Sequence, residues 1–104
     1  MQNINEVKIE KLAEIYKLLG NTSRLRILLL LARGEFSASE IANVSHLSQA
    51  AASHQLKELK AARIIKSRKE GLNVFYSLDD WHITEILECG INHIECEHCC
   101  EEKV

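Results

Sequence analysis

The chain has 104 residues, 46% of them hydrophobic and 27% charged, with a formal net charge of −2 at neutral pH. That is enough for one domain with a modest core. It excludes a membrane-spanning protein, because the longest apolar run, residues 27–32, falls far short of the roughly 20 residues a span needs. The N-terminus is polar and charged, without the pattern of a signal peptide, so a cytoplasmic protein with reduced thiols is expected. All four cysteines (Cys89, Cys96, Cys99 and Cys100) fall in the last 16 residues, beside His93 and His98. A disulfide framework spreads its cysteines along the chain, so this clustering points to metal or redox chemistry.

Taken in chain order, residues 4–19 place Ile4, Val7, Ile9, Leu12, Ile15, Tyr16 and Leu19 at helical spacing, and Gly20 stops the pattern. Asn21-Thr22-Ser23 supplies a cap for a second helix over 23–33, ended by Gly34 and apolar almost all round, as a central core helix is. Ser37 or Ser39 caps a short third helix, and Ser37-x-x-Glu40 fits a capping box. Residues 43–46 read as a tight turn. Ser48 then opens a fourth helix to about residue 62. Residues 64–69 and 73–77 alternate as two strands around Glu70-Gly71-Leu72, a hairpin. Residues 79–99 form the last helix, with 100–104 as a tail. The order predicts a mainly α protein with a β-hairpin, a winged helix-turn-helix, as a single domain over 1–104.

The fourth helix has the make-up of a DNA reader. Leu47, Leu56 and Leu59 suit the core, while Ser48, Gln49, Ser53, His54 and Lys57 suit the outside. Ala50, Ala51 and Ala52 are small enough to let the backbone approach a groove floor. Gln49 fits adenine, and Ser53 suits base edges or phosphate. Lys57, Lys60, Arg68 and Lys69 add sequence-independent attraction to the backbone. Residues 54–70 carry six basic side chains against two acidic ones, whereas residues 79–104 carry eight acidic side chains against one lysine. The implied partner is double-stranded operator DNA, not a membrane or a small-molecule substrate.

The last helix carries Asp80, His82, His93 and Cys96. A carboxylate, two imidazoles and a thiolate make a tetrahedral set for zinc. His82 and His93 are 11 residues apart, which puts them on one face but about 16 Å apart along the axis. Ligands of one zinc lie about 2.0–2.3 Å from it, so one helix cannot close the site. Two antiparallel copies can, which implies a homodimer joined through its terminal helices. A four-ligand set leaves no open position and no base or nucleophile pairs with it, so an enzyme is not expected.

The segments Leu18-Leu-Gly-Asn-Thr-Ser-Arg-Leu-Arg-Ile27, Ser48-Gln-Ala-Ala-Ala-Ser-His-Gln-Leu-Lys-Glu-Leu59 and Gly71-Leu-Asn-Val-Phe-Tyr-Ser-Leu78-Asp resemble the ArsR/SmtB family of metal-sensing repressors, over roughly residues 8–98. The resemblance implies a repressor whose metal-free dimer binds operator DNA and releases it on metal binding, with metal efflux or sequestration genes under its control. Asp80-x-His82 with His93 resembles that family's interfacial zinc site, whose usual fourth residue is His or Glu. Here it is Cys96, a softer ligand that admits cadmium, cobalt or lead beside zinc. Another branch uses Cys-x-Cys on the third helix; those positions resemble Ser37 and Ser39, so that site is not expected. The alternative from a different sensory class is a repressor that senses thiols, persulfides or oxidants. It would use the C-terminal cysteines: Cys89 and Cys100 lie on the stripe His82, Ile86, Cys89, His93, Cys96 and Cys100, and Cys89, Cys99, Cys100 or His98 could supply a second metal or thiol-sensing site.

Overall fold

The computed structural model describes residues 3–96. Its first helix, α1 (Glu6–Leu19), starts where the Asn5 side chain accepts the Lys8 N–H, and stops at Gly20, whose N–H bonds the Tyr16 carbonyl. Asn21 repeats the device for α2 (Thr22–Leu31) by accepting the Arg24 N–H. The Asn5 cap starts α1 two residues after the apolar pattern does, and α2 starts one residue earlier and ends two residues sooner than expected.

A two-residue strand, β1 (Phe36–Ser37), follows; no alternation in the sequence announces it. Ser37 is also the cap of α3 (Ala38–Ser45), and the Ser37–Glu40 capping box is formed in both directions. The expected turn at residues 43–46 is a correction: three of those residues are the end of α3. The chain reverses at His46 (φ 58), where the Leu47 N–H reaches back to the Ala42 carbonyl. Ser48 caps α4 (Gln49–Ala61). That helix ends the same way, with Arg63 at φ 61 and the Ile64 N–H bonded to the Leu59 carbonyl. Both ends have the Schellman form, with histidine and arginine where glycine is usual.

The wing consists of β2 (Ile65–Glu70) and β3 (Asn73–Leu78), antiparallel and in register from Ile65 opposite Leu78 to Glu70 opposite Asn73. Gly71, at φ 62, takes the first place of the two-residue loop, the position that requires positive φ in a II′ turn. The sheet has three strands in the order β1-β3-β2, with Phe36 opposite Tyr76. The last helix is α5 (Trp81–Glu95). It starts two residues after the expected 79, with Asp80 as its N-cap and Cys96 as its C-cap, and the expected stretch 97–99 lies outside the described residues. His98, Cys99, Cys100 and the 100–104 tail lie outside the described residues.

The core gathers Ile27, Leu28, Leu30 and Leu31 of α2, Ile41 of α3, Leu56 and Leu59 of α4, Ile64, Ile65, and Ile83 and Leu87 of α5. Burial of so many branched side chains is the main stabilising term, at about 1.5–3 kcal/mol each. A second apolar surface stays open. Ile4 just before α1 and Val7, Ile9, Leu12 and Tyr16 along it are exposed, and on α5 so are Ile91 and Ile94, from 40% (Ile91) to 65% (Ile94). Between the two helices lies a groove of about 380 Å³ bounded by Tyr16, Leu19, Leu25, Leu29, Gly90 and Ile94, among others. The radius of gyration is 15.7 Å, against about 13 Å for a closed globule of 100 residues.

Candidate nucleic-acid interface and metal centre

Helix α4 turns one face inward through Ala52, Leu56 and Leu59 and leaves Ser48, Gln49, Ala50, Ser53, His54 and Lys57 exposed. Ala52 is fully buried, which corrects the expectation that all three alanines approach a groove; Ala50 remains available and Ala51 is half-buried. The Ser48 hydroxyl accepts the Ala51 N–H, so the side chain that opens the helix is engaged in capping it. Gln49 is not loose: its Nε2 donates to Ser39 Oγ at 3.3 Å, linking the reading helix to the helix before it.

Two ion-pair groups set the charge of this surface. Arg24 of α2 donates through Nη2 to Glu58 Oε1 at 2.7 Å, and His54 Nε2 lies 3.7 Å from the same oxygen. The Arg24 hydrogen bond holds the Glu58 carboxyl below its ordinary range, against the opposing effect of desolvation. On the wing, Arg68 donates through Nε to both oxygens of Glu35 and through Nη1 to Glu70, and its guanidinium sits 5.0 Å above the Phe75 ring. These contacts stabilise the charged form of Arg68 and lower the Glu35 carboxyl. Lys66 and Lys69 are exposed and make no ion pair among the described residues. Composition alone cannot reveal the Arg24–Glu58 and Arg68–Glu35 pairs, because their partners are 34 and 33 residues apart.

The four expected metal ligands divide between the ends of α5. At the start, Asp80 Oδ1 accepts the His82 N–H at 2.9 Å and lies 3.3 Å from His82 Nδ1. Desolvation opposes the Asp80 charge, but the hydrogen bonds from the His82 ring and backbone prevail and hold its carboxyl below the ordinary range. A carboxylate on Nδ1 favours the tautomer with Nε2 as the ligating atom. The Trp81 ring stacks on His82 at 4.2 Å. At the other end His93 is exposed and Cys96 closes the helix, its N–H bonded to the Asn92 carbonyl. Among the described residues of one chain, no three His, Cys, Asp or Glu side chains gather closely enough to hold a metal. The oxygen and nitrogen donors at one end and the nitrogen and sulfur donors at the other do suit zinc or a softer divalent ion as a combined set, but only with a second chain.

The family model described as bacterial regulatory protein, arsR family, matches residues 21–67, from the cap of α2 to the first half of the wing. A cadmium resistance transcriptional regulatory protein CadC homolog of Staphylococcus aureus is 40% identical over 82 residues, covering 78% of this chain and 68% of that protein. The chain belongs to the ArsR family. A transcriptional repressor SmtB homolog of Synechocystis sp. is 36% identical over 86 residues, which cover 83% of this chain and 65% of the relative, just under two thirds of its length. Among solved structures, the homodimeric winged helix-turn-helix DNA-binding domain Mb0332 of Mycobacterium bovis, a possible ArsR-family transcriptional regulator, superposes with a TM-score of 0.81 at 25% identity and covers 93% of both chains. Membership of the ArsR family makes the chain a transcriptional regulator of the winged helix-turn-helix class and not an enzyme.

Proposed function

We propose that this ArsR-family chain is a cytoplasmic, homodimeric, metal-responsive repressor. Its metal-free dimer binds operator DNA, and metal binding between the protomers releases it. Zinc is the first choice of metal, with cadmium, cobalt or lead admitted by the thiolate. The relatives named for SmtB and for cadmium resistance support a target among metal efflux or sequestration genes.

The observation that carries this reading is the uncovered apolar face of α1 and α5, with the two halves of a ligand set at opposite ends of the same α5. A second copy laid antiparallel on α5 covers the face. It also brings Asp80 and His82 of one chain to His93 and Cys96 of the other, twice, by symmetry. Asp80 Oδ1 already orients His82, so part of the site is set before metal arrives. DNA is held by other residues, on α4 and the wing. Metal therefore acts on DNA through the angle between protomers, which fixes the spacing of the two reading helices.

The test is a zinc titration of the protein with and without operator DNA. Linkage requires DNA to weaken zinc binding by the factor by which zinc weakens DNA binding. His93→Ala is expected to keep metal-free DNA affinity and lose release. Zinc affinity that ignores DNA, or a His93→Ala protein that still lets go, overturns the reading. Running it under reducing conditions separates it from thiol sensing, which requires an oxidant or persulfide for release.

A further inference from the structure

Arg68 stands on β2 directly opposite Phe75 of β3, and β1 lies on the far side of β3. Its side chain passes above the Phe75 ring and reaches Glu35, just before β1, where Nε donates to the two carboxylate oxygens at 3.0 and 2.9 Å. Glu70, two residues along β2 and so on the same face, accepts from Nη1. The one arginine of the wing strands is thus held by two carboxylates, the kind of oxygen pair its planar fork would otherwise take from a phosphate. Its side chain is 50% exposed and that of Glu35 39%. Ion pairs this exposed add little to stability, so holding the wing together does not require two acids on one base.

We propose that Glu35, with Glu70, is an internal stand-in for a DNA phosphate. It occupies Arg68 in the DNA-free protein, and the phosphodiester backbone of duplex DNA displaces it. Glu35 then lowers affinity for every sequence alike, so stable binding depends on the base contacts of α4. After the exchange Glu35 retains Lys66 as a neighbouring cation. The inference rests on the DNA-binding reading above and deepens it: Glu35 becomes a residue that sets the overall strength of DNA binding without touching a base.

The experiment measures binding of wild type, Glu35→Gln, Arg68→Ala and the double variant to a random-sequence duplex across a salt series, with circular dichroism to confirm folding. Arg68→Ala is expected to flatten the dependence of log affinity on log salt by about 0.9 for each lost phosphate contact. Glu35→Gln is expected to tighten binding about two- to fivefold per protomer, the range of exposed ion pairs, and the gain should vanish in the Arg68→Ala background. Glu35→Asp, which keeps the charge, should stay near wild type. An unchanged salt slope in Arg68→Ala overturns the proposal, because Arg68 then remains with Glu35 on DNA. So does weaker binding by Glu35→Gln, which marks the pair as a positioning strut, or a gain that persists without Arg68. Wild type that ignores duplex DNA altogether instead sinks the DNA-binding reading itself.

Discussion

Around α2, α3 and α4 the chain buries its own apolar side chains, whereas along α1 and the outer side of α5 it leaves them in water. Ile27, Leu28, Ile41 and Leu59 are inaccessible, while Val7, Leu12, Tyr16 and Ile94 are at least half exposed. The two regions have similar residue types, so composition does not separate them; what differs is whether one chain supplies both sides of the contact. The part that reads DNA has its geometry fixed within a protomer. On the proposed reading, the part that carries the metal ligands is completed by a second copy, and so its geometry is the one a ligand can shift. That division lets a signal alter the spacing of two reading helices without reshaping either.

The largest effect is expected where the chain is complete. Leu28→Ala removes a fully buried side chain and should cost about 2–5 kcal/mol, read by urea unfolding at fixed protein concentration. A loss under about 1 kcal/mol would mean that the α2 core repacks easily and that the two regions differ less than their burial suggests. Next comes the open face. Ile94 lies outside the buried core, so Ile94→Glu should leave the single chain folded, while dimerisation weakens by at least about tenfold in sedimentation as the apolar contact is lost twice by symmetry. An unchanged dimer would place the interface elsewhere. Gln49→Ala should act on the reading surface alone: it relaxes base preference by about 1–3 kcal/mol per lost pairing and leaves zinc binding and dimer strength as they are. Equal losses on specific and random DNA would remove Gln49 from the reading set.

Legibility in the sequence follows the same line. Helices with apolar periodicity and side-chain caps can be read directly, as Asn21, Ser37 and Ser48 show, because a cap is a local event within three residues. The α3–α4 reversal is missed by three residues, since nothing local marks His46 as a left-handed residue where glycine is usual. Strand β1 is invisible because two residues form it only through pairing with Tyr76 and Phe75. Ala52 looks the same as Ala50 in sequence, and only the phase of α4 against the core separates them. The four proposed ligands are legible as types and spacing. Their division between the two ends of α5 follows from helical rise, but the Asp80 contacts to His82 and its role as N-cap depend on where the helix begins.

The smallest effect concerns the tie between the reading helix and the core helix that borders the open groove. Glu58 sits on the reading helix and Arg24 on α2, the helix whose Leu25 and Leu29 also line the open groove. Arg24 lowers the Glu58 carboxyl from its ordinary value. A depressed carboxyl contributes stability above its unfolded value of about 4.3 and loses that contribution as pH falls through the lower folded value. Glu58→Gln should therefore flatten the acid limb of the stability curve between about pH 5 and 3, and its curve should approach wild type as pH falls. At neutral pH the difference should be slight, because the pair is partly exposed and screened by solvent. Unfolding by urea at several pH values checks this. Curves that stay parallel through the acid range would show that Arg24 does not hold the Glu58 charge, and the electrostatic tie between α2 and the reading helix would then have to be given up in favour of packing alone.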